Sequence, residues 1–136
     1  MAKWRTLVFL TCLVCLLPRC SWEYDLQEQV TGQVSAGEAR HYSIDAQQSV
    51  IVALLSEEGD ADIYASISVR DPSSERYDYS SVSCGMDVMV IPLQKPEKVH
   101  IAVWGHVRYE NTSYHLYLIT PNEEDIRRYQ VSFMKN

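Results

Sequence analysis

Residues 63–70, with the sequence Ile63-Tyr-Ala-Ser-Ile-Ser-Val-Arg70, decide the fold class. Aliphatic side chains stand at every second position of this stretch, and polar or aromatic side chains stand between them. A period of two is the repeat of a β-strand that buries one face and exposes the other. The stretch therefore predicts a strand whose aliphatic face lies in a core, and that face consists of Ile63, Ala65, Ile67 and Val69.

Strand patterns recur on both sides of this stretch. Residues 99–104 (VHIAVW) and 114–119 (YHLYLI) place an apolar side chain at every second position, opposite a mixed face that contains a His and an aromatic ring. Residues 50–55 form an unbroken apolar run, which is typical of a central strand covered on both faces. Residues 88–91 form a shorter run that ends before Pro92, which cannot donate to a strand ladder. Weaker strand signals cover residues 26–34, 40–45 and 77–83.

Turn-forming residues separate these segments. They are chiefly Gly, Pro, Asp and Ser, and they occur at residues 35–37, 57–60, 71–74, 84–85 and 95–96. About eight short strands at a spacing of about 8–12 residues predict one all-β domain, an antiparallel β-sandwich of the jelly-roll type. The aliphatic faces predict its core, which comprises Val50, Val52, Leu54, Ile63, Ala65, Ile67, Val88, Val90, Val99, Ile101, Val103, Leu116 and Leu118.

The N-terminus has the features of a secretory signal peptide. Lys3 and Arg5 precede an apolar run at residues 7–17, which is too short to cross a bilayer of about 30 Å hydrocarbon thickness. We predict cleavage near residue 20, a secreted extracellular protein and no membrane span after cleavage. The chain then divides into a signal peptide (1–20), a sandwich domain (21–120) and a C-terminal tail (121–136). The tail begins with a helix cap and acidic residues, so we expect either a short helix or a frayed terminus there.

The charge of the mature chain argues against nucleic acid as a partner. The whole chain has a formal net charge of −6, and removal of Lys3, Arg5 and Arg19 without any acid leaves −9. An acidic protein is repelled by phosphate backbones. Cleavage also leaves Cys84 as the single cysteine, which we predict to be a buried free thiol, with pairing to a second chain as the alternative.

Two segments carry candidate sites. Asn111-Thr-Ser113 is an N-glycosylation sequon. Residues 57–62 hold four carboxylates, and Asp60 and Asp62 are weak candidates for Ca²⁺ ligands because calcium prefers oxygen donors. The alternative for this segment is a tight turn between strands, with Gly59 at positive φ. The histidines lack metal-site spacing and no nucleophile elbow is recognisable, so we predict no cofactor and no enzymatic activity.

The mature chain is rich in Tyr and Trp, whereas Phe133 is its single Phe. Residue parity places Tyr64 and Trp104 opposite the aliphatic faces of their strands, and Tyr77 and Tyr79 on one shared face. Tyr and Trp offer large contact areas with few rotatable bonds, as protein interfaces favour. We therefore hypothesise that these four residues form part of a protein-binding surface. The alternative is that the rings cover the rim of the core.

Several segments in order carry a family resemblance: residues 59–64 (GDADIY), residues 83–85 (SCG) and an apolar strand that ends in Trp104-Gly-His106. They resemble the chromosome 6 open reading frame 120 protein family, an uncharacterised family of secreted animal proteins. The resemblance implies a signal peptide, a secreted glycoprotein and no established enzymatic activity. More distantly, residues 60–64 and 113–118 are similar to the bacterial pre-peptidase C-terminal domain. That likeness implies a jelly-roll-like sandwich, in which some relatives bind Ca²⁺ or matrix polymers.

Two function classes follow. The first is a secreted, non-enzymatic glycoprotein that acts as a binding or signalling module toward an extracellular or cell-surface protein. The alternative is a small secreted hydrolase, or a calcium-assisted domain that binds a matrix polymer, with chemistry near Asp60 and Asp62. The sequence contains no recognisable nucleophile motif, metal cluster or phosphate loop, which favours the first class.

Overall fold

The computed structural model describes residues 25–122, together with Glu124 and Arg127. Within residues 25–122 the chain forms eight β-strands, so the all-β prediction is confirmed. The strands are β1 (Asp25–Ser35), β2 (Ala39–Ala46), β3 (Val50–Glu58), β4 (Ala61–Ser66), β5 (Tyr79–Ser81), β6 (Met86–Ile91), β7 (Glu97–Gly105) and β8 (Asn111–Thr120).

The eight strands form two four-stranded antiparallel sheets. The first sheet has the order β1-β8-β3-β6, and the second has the order β2-β7-β4-β5. Every connection except that from β4 to β5 passes from one sheet to the other. Each sheet carries one strongly apolar face, so the two apolar faces pack together and exclude water. The architecture is the predicted β-sandwich.

Inward-facing side chains of both sheets fill the core. The buried cluster comprises Val34, Ala46, Val50, Val52, Leu54, Ala61, Ile63, Ala65, Met89, Ile91, Val99, Ile101, Val103, Tyr114, Leu116 and Leu118. Most of the predicted core residues are in this cluster. Ile67, Val88 and Val90 are not, and each of them lies half-buried or exposed.

Ile67 lies outside the core because β4 ends at Ser66. The Ser66 hydroxyl accepts hydrogen bonds from the backbone N–H groups of Ser68 (3.2 Å) and Val69 (2.9 Å). A side chain that binds nearby N–H groups in this way offers the backbone an alternative to a strand ladder. The alternating pattern thus continues in the sequence to Val69, whereas the strand does not.

The face of β6 that points into the core is not the predicted one, which contained Val88 and Val90. Asp87, Met89 and Ile91 are buried, whereas Val88 is 44% exposed. The cause is the register with β3, which pairs Met89 with the core residue Val52. Apolar side chains stand on both faces of β6, so periodicity alone does not reveal which face is inward.

β3 has the predicted central place, between β8 and β6. Its inner residues Val52 and Leu54 are fully buried. On its outer face Ile51 is buried, whereas Leu55 is 38% exposed. The prediction that both faces of this strand are covered is therefore correct only toward its beginning.

Cys84 is exposed, so the prediction of a buried thiol is wrong. The residue lies in the turn before β6, beside Gly85, which has a φ of +87°. The N–H of Gly85 donates to Oδ1 of Asp60 at 3.2 Å. Turn geometry, rather than the usual preference of Cys for the interior, decides its exposure.

Two predictions fall largely outside the described residues. The signal peptide at residues 1–20 lies wholly there. In the tail, Glu124 and Arg127 are helical, and the residues around them lie outside the described part. Among the residues that the structure describes, no helix is long and apolar enough to cross a membrane.

Candidate functional site

The candidate site lies on the outer face of the second sheet. Asp62 and Tyr64 of β4 alternate with the buried residues Ala61, Ile63 and Ala65, so their side chains point away from the core. The register pairs Asp62 with Trp104 of β7, which places the two side chains next to each other on this face.

Residues 67–78 connect β4 to β5 and pack against this face. The Asp78 carboxylate accepts hydrogen bonds from Ser66 Oγ (2.5 Å) and from the N–H of Ile67 (3.0 Å), which ties the two ends of the segment together. In the middle of the segment, Asp71 is 4.0 Å from Nδ1 of His41 on β2. The segment therefore borders the site on the side away from the core.

A cleft of about 370 Å³ opens between this segment and the sheet. Asp62, Tyr64, Ser74, Trp104 and His106 are among the residues that line it. We call it the aromatic cleft. The structure thus brings together two residues of the predicted protein-binding surface, Tyr64 and Trp104, in one concave site.

Tyr77 belongs to the same site, and Tyr79 does not. The rings of Tyr64 and Tyr77 have centroids 5.4 Å apart and planes inclined at 53°, and Tyr77 is 46% exposed. Tyr79 pairs with the core residue Ala65 and packs against the core. The prediction that Tyr77 and Tyr79 share one face is wrong, because β5 begins only at Tyr79 and Tyr77 precedes it in a loop.

The carboxyl group of Asp62 lies in an unfavourable environment for charge. Burial raises its pKa, and the nearby carboxylates of Asp87 and Asp60 raise it further, whereas His106 acts in the opposite direction. The three causes that raise the pKa follow from the cost of holding negative charge away from water or close to other negative charge. Asp62 therefore holds its proton more strongly than an exposed aspartate does.

Asp87 is fully buried, although it is an acidic residue. Its Oδ1 accepts hydrogen bonds from Ser81 Oγ and from the N–H of Ser83, each at 2.6 Å. Burial raises its pKa, and these two hydrogen bonds oppose that effect. Its other oxygen, Oδ2, has no hydrogen-bond partner among the described residues.

Asp60 occupies the predicted turn between β3 and β4. Gly59 has a φ of +87°, and the Thr112 hydroxyl bonds both the N–H and the carbonyl of Asp60, at 3.1 and 2.9 Å. The Asp60 side chain accepts from Gly85, as described above. Within the described part of the chain, no three His, Cys, Asp or Glu side chains are grouped closely enough to hold a metal ion. The contacts of Asp60 are those of a turn residue.

Asn111 is exposed, as its sequon requires, and it is the first residue of β8 rather than part of a loop. Its Oδ1 accepts a hydrogen bond from Ser35 Oγ at 3.1 Å. The side chain stands at the end of the β1–β8 ladder, where Ser35 is its register partner.

One polar constellation was not predicted from the sequence. On the outer face of the first sheet, Nδ1 of His115 is 3.3 Å from Thr31 Oγ1, and its Nε2 is 2.8 Å from Glu57 Oε1. Thr31 and Glu57 border a second cleft, of about 700 Å³. The contact depends on the pairing of β1 with β8, and no local pattern in the sequence signals that pairing.

Comparison with known proteins places the chain in a family. The model of the family UPF0669, described as "Putative cytokine, C6ORF120", matches residues 2–130. The chain belongs to this family. A UPF0669 protein of Nematostella vectensis is 36% identical over 84 residues, which are 62% of this chain and 51% of that protein. The chain thus spans about half the length of this curated UPF0669 relative.

Solved structures share the fold of this UPF0669 protein. The pre-peptidase C-terminal domain of a Bacillus anthracis collagenase matches with a TM-score of 0.54 and 14% identity, over 68% of this chain and 89% of that one. PliG of Aeromonas hydrophila, a periplasmic inhibitor of g-type lysozyme, matches with a TM-score of 0.51 and 16% identity, over 68% and 85%. At these identities the likeness shows the fold alone. Both resemblances expected from the sequence are confirmed.

Proposed function

We propose that this UPF0669 protein is a secreted, non-enzymatic glycoprotein that binds an extracellular or cell-surface protein through the aromatic cleft and the adjoining Tyr77. One observation carries the proposal: Tyr64, Tyr77 and Trp104 stand together on the outer face of the sandwich instead of in its core. Large aromatic side chains around a concave site are the usual anchors of protein interfaces.

Two comparisons support this proposal. The description of the family includes the word cytokine, and a cytokine acts by binding a receptor outside the cell. PliG, one of the solved neighbours, is an inhibitor of a lysozyme, so that protein uses a related sandwich to act on another protein.

The test is capture of surface-biotinylated proteins from intact animal cells by the immobilised glycoprotein. We expect Tyr77→Ala and Trp104→Phe to lose at least one captured band without loss of thermal stability. Tyr117→Ala is the matched control, because Tyr117 is a half-buried aromatic residue on the outer face of the opposite sheet. If both cleft variants keep every band, the cleft does not bind the partner.

A second candidate function is hydrolysis, and the Thr31–His115–Glu57 contacts favour it. The three side chains have the order of a nucleophile, a base and an acid that orients the base. The test is a screen of ester, peptide and glycoside substrates with and without a chelator. Turnover that Thr31→Val abolishes, in a protein that remains folded, would establish this function and contradict the non-enzymatic proposal.

A further inference from the structure

The aromatic cleft contains a carboxylate, that of Asp62, which no salt bridge among the described residues neutralises. Among residues 25–122, no hydrogen bond or ion pair reaches the carboxylate of Asp62. Two further carboxylates, Asp60 and Asp87, lie near enough to repel it. His106, which also lines the cleft, acts in the opposite direction, and the pKa of Asp62 is raised despite it. Charge that is partly buried and unpaired is costly, and a bound cation removes that cost.

Asp87 adds to this negative potential from the buried face of the first sheet, although it does not line the cleft. Asp87 is fully buried, and its Oδ2 has no partner in the described part of the chain. Buried carboxylate oxygens in folded proteins are normally satisfied by a donor or a cation. Its charge acts on Asp62, so the two groups share one region of negative potential. A cation beside Asp62 therefore lies in a region of negative potential.

The walls of the cleft favour an organic cation over a metal ion. The rings of Tyr64 and Trp104 line the cleft, and that of Tyr77 packs against Tyr64. Ring faces attract a guanidinium group, which is planar, weakly hydrated and able to stack on them. Calcium instead requires about six to eight oxygen ligands, whereas Asp62 contributes the single carboxylate among the described residues that line this cleft.

We propose that the aromatic cleft receives an arginine side chain of the partner protein, whose guanidinium group pairs with the Asp62 carboxylate and stacks on the neighbouring rings. This inference rests on the proposed function and specifies the chemistry of the partner. A volume of about 370 Å³ suits one long side chain. The net charge of −6 on the chain also attracts a basic partner surface, because complementary charge accelerates encounter.

The experiment is an NMR titration of the whole secreted protein with N-acetyl-arginine amide, followed at the indole N–H of Trp104. The Trp104→Phe spectrum assigns that signal. We expect a saturable shift with the arginine amide and none with N-acetyl-norleucine amide, which has a similar length and no charge. Asp62→Asn should weaken binding at least tenfold. Asp45→Asn is the matched control, since Asp45 is an exposed carboxylate on an edge strand of the same sheet.

Several outcomes would overturn this inference. These are equal shifts with the norleucine amide, equal losses in Asp62→Asn and Asp45→Asn, or a saturable shift with Ca²⁺ but none with the arginine amide. The NMR titration and the cell-capture test can fail independently, so failure of the arginine site can be distinguished from failure of the proposed function. If arginine binds while Tyr77→Ala and Trp104→Phe capture every band, the proposed function fails and the arginine site stands. If capture depends on the cleft and arginine does not bind, the arginine site fails and the proposed function stands.

Discussion

The hydroxyl groups of Tyr42 and Tyr114 lie 2.5 Å apart and join the two sheets by a side-chain hydrogen bond. Tyr42 belongs to β2 in the second sheet and is partly buried. Tyr114 belongs to β8 in the first sheet and is fully buried. Burial and this hydrogen bond raise the pKa of Tyr114, so its hydroxyl remains protonated at physiological pH. Together with the Ser81–Asp87 hydrogen bond between β5 and β6, this bond is a polar link within a mainly apolar interface.

The two tyrosines should respond unequally to removal of their hydroxyls. Tyr42→Phe leaves the Tyr114 hydroxyl buried without a partner and should lower the free energy of unfolding by about 2 kcal/mol. Tyr114→Phe should cost only about 1 kcal/mol, because Tyr42 is partly exposed and its freed hydroxyl can bind water. Urea denaturation of both variants and of the double variant measures this. Equal losses, or a larger loss in Tyr114→Phe, would contradict the assignment of Tyr114 as the buried partner.

Asp87→Asn should lower the pKa of Asp62 toward its usual range. The Asp87 charge is the second-largest cause of the raised pKa of Asp62, after burial. Asn at this position keeps an oxygen that can accept from Ser81 and Ser83. NMR titration of the Asp62 carboxyl carbon measures the effect. Glu75→Gln, an exposed carboxylate in the loop, is the control and should leave this pKa unchanged.

The same substitution should change how stability depends on pH. The pKa of Asp87 and that of Asp62 are raised on folding, so the folded protein binds these protons more tightly than the unfolded chain. Their contribution to the free energy of unfolding therefore falls as pH rises from about 4 through the folded pKa values. Asp87→Asn should flatten this fall. Urea denaturation at a series of pH values checks it, and an unchanged slope would count against a buried ionising Asp87.

Asp78→Ala should loosen the segment that borders the aromatic cleft. The hydrogen bonds from Ser66 and Ile67 lower the pKa of Asp78, so its ionised carboxylate is the form that holds the segment. We expect a lower melting temperature and faster hydrogen exchange at the N–H of Ile67. Asp71→Ala is the matched control, because Asp71 lies in the same segment and contacts only exposed His41 at 4.0 Å. Equal effects of the two substitutions would show that Asp78 is not the anchor.

Cys84 should react with a thiol reagent in the native protein about as fast as in the denatured protein. Its exposure in the turn before β6 is the reason. Ellman's reagent at neutral pH, with and without denaturant, provides the comparison. Protection by a large factor in the native protein would contradict the exposed position, and a reducible dimer on a gel would show that a second chain occupies it.

Secretion and glycosylation are tested by intact mass. We expect the protein from culture medium to lack about twenty N-terminal residues, as signal-peptide cleavage requires. It should also lose mass on enzymatic deglycosylation. Asn111→Gln should give the deglycosylated mass directly. Retention of Met1 would contradict cleavage, and an unchanged mass after deglycosylation would contradict a glycan on the exposed Asn111.

The strands that could be predicted are those with one aliphatic and one polar face. β7 and β8 alternate cleanly, so parity identifies Ile101 and Leu116 as core residues. β6 is apolar on both faces, and its inward face depends on a register with β3 that only the assembled sheet determines. Ile67 continues the pattern of β4, but hydrogen bonds to Ser66 end the strand before it. Local periodicity predicts strands well and fails where a tertiary contact overrides it.

The candidate site could be predicted only in part for the same reason. Tyr64 and Trp104 follow from the parity of their own strands. Tyr77 reaches them through a loop, and Asp87 acts on Asp62 from the other sheet. The Thr31–His115 contact joins residues 84 positions apart. No short-range sequence pattern encodes contacts between residues so far apart in the chain, so only the order of the strands in the sheets reveals them.

The pairing of β1 with β8 has a consequence for how the protein forms during synthesis. β1 is the first of the described strands to leave the ribosome, and β8, its ladder partner, is the last. The first sheet therefore stays open until β8 has been made, which predicts slow folding dominated by late, long-range closure. During that interval Asn111 is not yet fixed beside Ser35, and this is when we expect its proposed glycosylation to take place.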